Sequence, residues 1–201
     1  MPRTTTVTIA RLLLFSLAFT SVGNATEVTK LTPRNWDKYV PQGKEVDAIY
    51  GDYAIRNDVL TAIIAQPKQG RNANLTVRNV YGGVLDLTRH DDNNDQLSCF
   101  YPTNQRFTFT DEEAVIIQHT QNGMATISFT SLKRADAVQA VLTYSLGNDD
   151  SGLTISTAYH NHSEADQTIS LQDGIRADSP FTSGVQDGMY WTNDHWFRQA
   201  Y

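Results

Sequence analysis

Apolar and polar positions alternate with a period of two through most of this chain, and the second half shows it most cleanly. Residues 125–130 read Ala-Thr-Ile-Ser-Phe-Thr, and Val138, Ala140, Leu142, Tyr144 and Leu146 fall on one face of a longer strand. Residues 106–110 and 153–159 follow the same rule, and 115–119 follow an acidic turn as a further strand. Such alternation places every second side chain in a core and predicts half-buried strands. The turns between them carry their own chemistry: Asn57-Asp58, Gly82-Gly83, Asn122-Gly123 and residues 147–150, Gly-Asn-Asp-Asp. In the first half, strands are expected at 46–50, 53–56 and 59–65. Residues 76–80 and 84–87 flank Gly82-Gly83 as a tight hairpin. A last pairing is expected at 168–175, after the turn at 163–166. No apolar stripe of helical period has useful length. Many short strands at about 8–12 residue spacing predict an all-β, antiparallel β-sandwich with one buried face per strand.

The first 25 residues break this pattern. Arg3 and Arg11 precede and open an apolar run over 12–19, and Gly23 and Ala25 put small residues at the two positions a signal peptidase reads. The run is far short of the ~20 residues of a membrane span. The segment predicts a cleavable signal peptide with the cut after Ala25, and a secreted or periplasmic mature chain without a membrane span. Residues 26–45, polar and carrying Pro33, Pro41 and Gly43, are expected to form an irregular strap that Trp36 and Tyr39 pin to the domain over 46–201.

Charge and cysteine content narrow the partners. The chain has a formal charge of −6, and loss of Arg3 and Arg11 with the leader takes it to −8. With no basic stripe, nucleic acid is excluded as a partner, and an anionic membrane surface is disfavoured. Cys99 is the only cysteine, so no intramolecular disulfide forms, and its neighbours Leu97, Phe100 and Tyr101 predict a buried thiol. No cofactor fingerprint, nucleophile elbow or zinc-protease motif is present.

Four constellations carry candidate chemistry. His160 and His162, two apart on a strand, point to the same side and offer two metal ligands, against the plainer reading of solvent-facing imidazoles at a strand end. Asp91, Asn93 and Asp95 alternate like the first half of a calcium loop, but Gln96 stands where the sharp-turn glycine belongs, which favours a solvated loop. Asp173 and Asp178 flank Arg176 and could serve acid–base work on sugars, or an ion pair that orients a loop. The aromatic-dense end is the preferred ligand-binding candidate. Tyr190, Trp191 and Trp196, with Asp194 and His195, could stack sugar rings and bind their hydroxyls, against ordinary core packing. An end so rich in aromatics also predicts a sandwich that continues beyond Tyr201, as the front part of a longer protein.

The runs over 45–58 (Glu-Val-Asp-Ala-Ile-Tyr-Gly-Asp-Tyr-Ala-Ile-Arg-Asn-Asp), 71–80 (Arg-Asn-Ala-Asn-Leu-Thr-Val-Arg-Asn-Val) and 82–88 resemble the N-terminal β-rich regions of large exported proteins from planctomycete-type bacteria. Some of those continue into a PHP-type metal-dependent phosphoesterase domain or a carboxypeptidase-regulatory-like β domain. Residues 154–178 resemble a strand pair of galactose-mutarotase-like supersandwiches. The resemblance implies an exported module. It carries over no catalytic residue, because His160 and His162 lack the following PHP ligands and the late mutarotase glutamate is missing. The expected role is a non-catalytic module that binds a partner domain or an extracellular glycan and needs no cofactor. The alternatives are a truncated mutarotase-like carbohydrate enzyme and an accessory region of a PHP-type phosphoesterase.

Overall fold

The computed structural model describes residues 25–41, 47–91, 97–119 and 122–177, together with the backbone of three later strands. The fold is all-β and sandwich-like. One antiparallel sheet has six strands in the order β1 (Glu27–Lys30), β2 (Tyr53–Arg56), β3 (Leu60–Ile64), β4 (Val84–Arg89), β5 (Leu97–Tyr101) and β10 (Gly174–Ala177). The other has four: β6 (Val115–His119), β7 (Ala125–Thr130), β8 (Val138–Leu146) and β9 (Thr154–Asn161). Strands β11 (Ser183–Gln186), β12 (Met189–Thr192) and β13 (Trp196–Arg198) pair among themselves.

The two main sheets share a core. Tyr53, Ile55, Leu60, Ala62, Ile64 and Val84 from the six-stranded sheet meet Ile127, Phe129, Leu142 and Tyr144 from the four-stranded one. The five alternating residues of β8 are all buried, as the period-two pattern requires. Each large side chain removed from water here contributes ~1.5–3 kcal/mol. The Tyr144 hydroxyl donates to the Gly82 carbonyl, so this ring enters the core with its polar end satisfied. Burial holds its phenol well above its ordinary pKa.

The six-stranded sheet is covered on its far side as well. Leu31, Tyr39, Val40, Val77 and Val80 pack onto Ala54, Ile63, Ala65, Leu85 and Cys99. Every residue of β3 is therefore buried, and β2 is buried at three of its four positions. This corrects the expectation of one buried face per strand, because a second layer closes the other face. Part of that layer comes from residues 26–41 of the expected strap, which carry regular structure. They supply β1, paired with β2, and the single helical turn α1 (Trp36–Tyr39).

Three expected strands form no ladder, and a fourth does so only at its end. Residues 47–49 are extended coil, and 76–80 fold as a covering loop whose Val77 and Val80 face the second core. Residues 106–110 bury Phe107 and Phe109 while crossing between sheets. Of 168–175, only Gly174 and Ile175 join a ladder, pairing with Tyr101 and Phe100 of β5. At 76–80 and 106–110 the alternation reports burial on one side, not a hydrogen-bonded neighbour strand.

One end of the sandwich is latched by side chains. Asn57 follows β2, and its Oδ1 accepts from the amides of Val59 and Leu60 at 2.9 and 2.8 Å, the expected Asx turn. Its Nδ2 donates to the carbonyls of Gly147 and Asp150, both at 2.8 Å, in the β8–β9 turn. A side chain from one sheet thus fixes a turn of the other.

Candidate functional site

The four-stranded sheet turns one face to the core and the other outward. Its register aligns Ile116, Ser128, Thr143 and Ser156 in one outward row, and Gln118, Thr126, Ser145 and Thr154 in the next. Thr130, Val141 and Ala158 extend the face, and Gln139 and His160 close it. Among the described residues, no Asp, Glu, Lys or Arg stands on this face, although the chain is acidic. Neighbouring strands lie ~4.8 Å apart, so the rows present hydroxyls at short, regular spacing. The Ser128 and Thr143 hydroxyls hydrogen-bond across the strands at 2.9 Å. Each hydroxyl both donates and accepts, so the face offers both functions without a formal charge.

The histidine pair lies at one margin of this surface. His160 and His162 are exposed, with ring centroids 6.4 Å apart. His162 Nε2 lies 3.1 Å from Gln139 Oε1, and the Gln139 amide donates to the Ser131 carbonyl at 2.8 Å. The two rings are neighbours, as their spacing predicts. Among the described residues, no group of three or more His, Cys, Asp or Glu side chains is arranged to hold a metal ion.

The acidic–basic motif at 173–178 acts on backbone. Asp173 Oδ1 accepts from the Thr103 amide at 2.8 Å, and Arg176 Nη1 donates to the Thr76 carbonyl at 2.9 Å. Asp178 lies outside the described residues. Thr103, Asn104 and Gln105 form a left-handed turn, with φ of 60°, 46° and 60°. Non-glycine residues there cost ~1–3 kcal/mol each. Asp173 holds the first, and the Gln105 amide donates to the Arg78 carbonyl at 2.9 Å. Thr103 is buried, and its hydroxyl has no partner among the described residues. His160 on the outer face of β9 and Asp173, just before β10 and bonded to the turn after β5, serve different elements.

Cys99 is fully buried, as its neighbours predicted. Burial pushes the thiol up to about 12, which disfavours the thiolate a nucleophile needs. Asp91 is paired with Arg89 at 3.0 Å, whereas Asn93 and Asp95 lie outside the described residues. For the aromatic end, Tyr190 and Trp191 lie on β12 and Trp196 on β13, with Trp191 paired to Trp196. Their side chains, and Asp194 and His195 altogether, lie outside the described residues.

The sequence reading missed one buried polar centre. Arg71 is held by Asp52 in a two-point ion pair, Nε to Oδ1 at 3.1 Å and Nη2 to Oδ2 at 2.6 Å. The carboxylate also accepts from the amides of Gln66 and Ile49, both at 2.9 Å. Arg71 donates further to the carbonyls of Asp47 and Asn72. The carboxylate and four of the five Arg71 N–H donors are bonded within the protein, so this pair positions the 66–83 loop. The only sequence signal was an acid set in the apolar run around Gly51 and a lone Arg after Gly70.

Compared with known protein families, curated proteins and solved structures, the chain matches none of them.

Proposed function

We propose that the mature chain is an exported, non-catalytic β-sandwich module of a longer protein, and that it binds an uncharged partner: an extracellular glycan or a neighbouring domain of the same protein. The observation that carries this reading is the outer face of the four-stranded sheet. A purely solvated face in an acidic chain ordinarily carries acids and lysines. This one carries Ser, Thr and Gln in rows, with Ile116 at its edge. Interface centres are depleted in charge, because each buried charge must be desolvated. Neutral sugars match the face best, since their hydroxyls take the same paired donor and acceptor roles. The leader over 1–25 and the likeness to the N-terminal regions of large exported proteins support secretion or periplasmic delivery.

Retention of the purified protein on insoluble neutral polysaccharides, cellulose and chitin, is the direct test. Binding lost in a Ser128→Lys/Thr143→Lys variant that still folds is the expected result. Hydrolytic or epimerase turnover by the isolated chain would overturn the non-catalytic reading. Retention that survives the double lysine change would remove this face from it.

A further inference from the structure

Among the described residues, burial begins at Thr26, the residue that follows the predicted cleavage position. Ala25 is exposed, whereas Thr26 is 4% exposed. The Thr26 main-chain nitrogen donates to Asn148 Oδ1 at 2.8 Å, and its hydroxyl donates to the same oxygen at 2.9 Å. Asn148 sits in the β8–β9 turn, so these bonds join the start of the six-stranded sheet to the far end of the four-stranded one. Gly123 makes room for it. With φ at +81°, a Cβ there would lie 2.2 Å from Asn148 Nδ2. Asn57 grips the same turn through Gly147 and Asp150. Asp149 and Asp150 make the turn acidic.

We infer that hydrolysis of the Ala25–Thr26 bond completes this latch, and that the new amino terminus is a structural part of the mature sandwich. This rests on the export reading above. An endopeptidase that reads small side chains adds water across the bond. Ala25 leaves with the carboxylate, and the Thr26 amine takes up a proton. The resulting ammonium keeps its place on Asn148 Oδ1 and adds a positive charge beside an acidic turn. A neutral amide bond becomes a charge-assisted one, a stronger class of hydrogen bond. Residues left in front of Thr26 keep its nitrogen as a neutral amide and so remove that charge.

The test uses the full gene expressed in a secreting host, with the exported product purified and weighed by mass spectrometry. A second version carries Glu-Ser inserted between Ala25 and Thr26, so that cleavage after Ala25 leaves a two-residue extension. The product beginning at Thr26 is expected to melt about 2–4 °C above the extended one, the shift that corresponds to a hydrogen bond of this class in a domain this size. Asn148→Ala is expected to lower the melting point of both products, and by more in the Thr26 product, because the extended product keeps the neutral hydrogen bonds to Asn148 and lacks only the charge. Equal melting points for the two products, or an Asn148→Ala effect of the same size in both, overturn the latch and leave export standing. Cleavage at another bond also overturns the latch. A chain that is neither exported nor cut overturns both readings.

Discussion

The two sheets of this sandwich solve the problem of their outer faces in opposite ways. The six-stranded sheet is roofed by α1 and the 66–83 loop, and it places a charged pair, Asp52–Arg71, under that roof. Among the described residues, the four-stranded sheet has no roof, and its outer face carries no Asp, Glu, Lys or Arg. Charge is therefore inside where the fold is most enclosed and missing where the sheet meets solvent. In the first sheet the Asp52 carboxylate and most Arg71 donors are bonded within the protein itself. In the second they are displayed in register. A structural polar centre differs in this way from the face proposed for recognition, whose hydrogen-bonding capacity is displayed outward.

The sharpest way to break this contrast is to unpair the enclosed charge. Arg71→Met leaves Asp52 buried without its cation and is expected to cost about 3–5 kcal/mol in a denaturant melt. Replacing the pair together, Asp52→Leu with Arg71→Met, is expected to cost less than the single change if the 66–83 loop keeps its place. A slightly smaller loss, about 2–4 kcal/mol, is expected for Leu142→Ala in the shared core, where a buried leucine leaves a cavity.

Alkali should act on the roofed sheet through Cys99. Its folded thiol titrates near 12, against 9.0 as the ordinary value. The unfolded chain releases this proton first, so the stabilisation is complete below about pH 9 and declines as pH rises from 9 toward 12. Unfolding midpoints across that window should fall less steeply in Cys99→Ala than in the parent. The smallest effect belongs to the exposed face. Ser128→Ala and Thr143→Ala are expected to change stability by no more than about 0.5 kcal/mol. If both cost several times that, the hydroxyl rows serve the fold, and the recognition reading loses its footing.

How much of this was legible in the sequence varies by element, for a physical reason. Strands β7, β8 and β9 were readable because one face is wet and the other dry, so composition alternates with the pleat. β3 was readable only as an apolar run, since burial on both faces erases the alternation. Residues 106–110 misled because Phe107 and Phe109 alternate with threonines while no neighbouring strand runs beside them. The candidate surface was half visible. Alternate Ser and Thr were plain along each strand, but the rows exist only once register sets Ser128 beside Thr143 and Ser156. The Asp52–Arg71 pair joins residues 19 positions apart through a loop whose path no periodicity encodes.

The full enclosure of β3 also sets a clock within the molecule. Its amides lie between two other strands of the sheet, beneath the roof on one side and above the shared core on the other. No local fraying motion reaches them, so their exchange with heavy water must wait for opening of the whole domain. The amides of β6, at a sheet edge and largely exposed, can exchange through local openings. A deuterium pulse would label β6 early and β3 last, and the interval between them would read out the global stability of the sandwich without any denaturant.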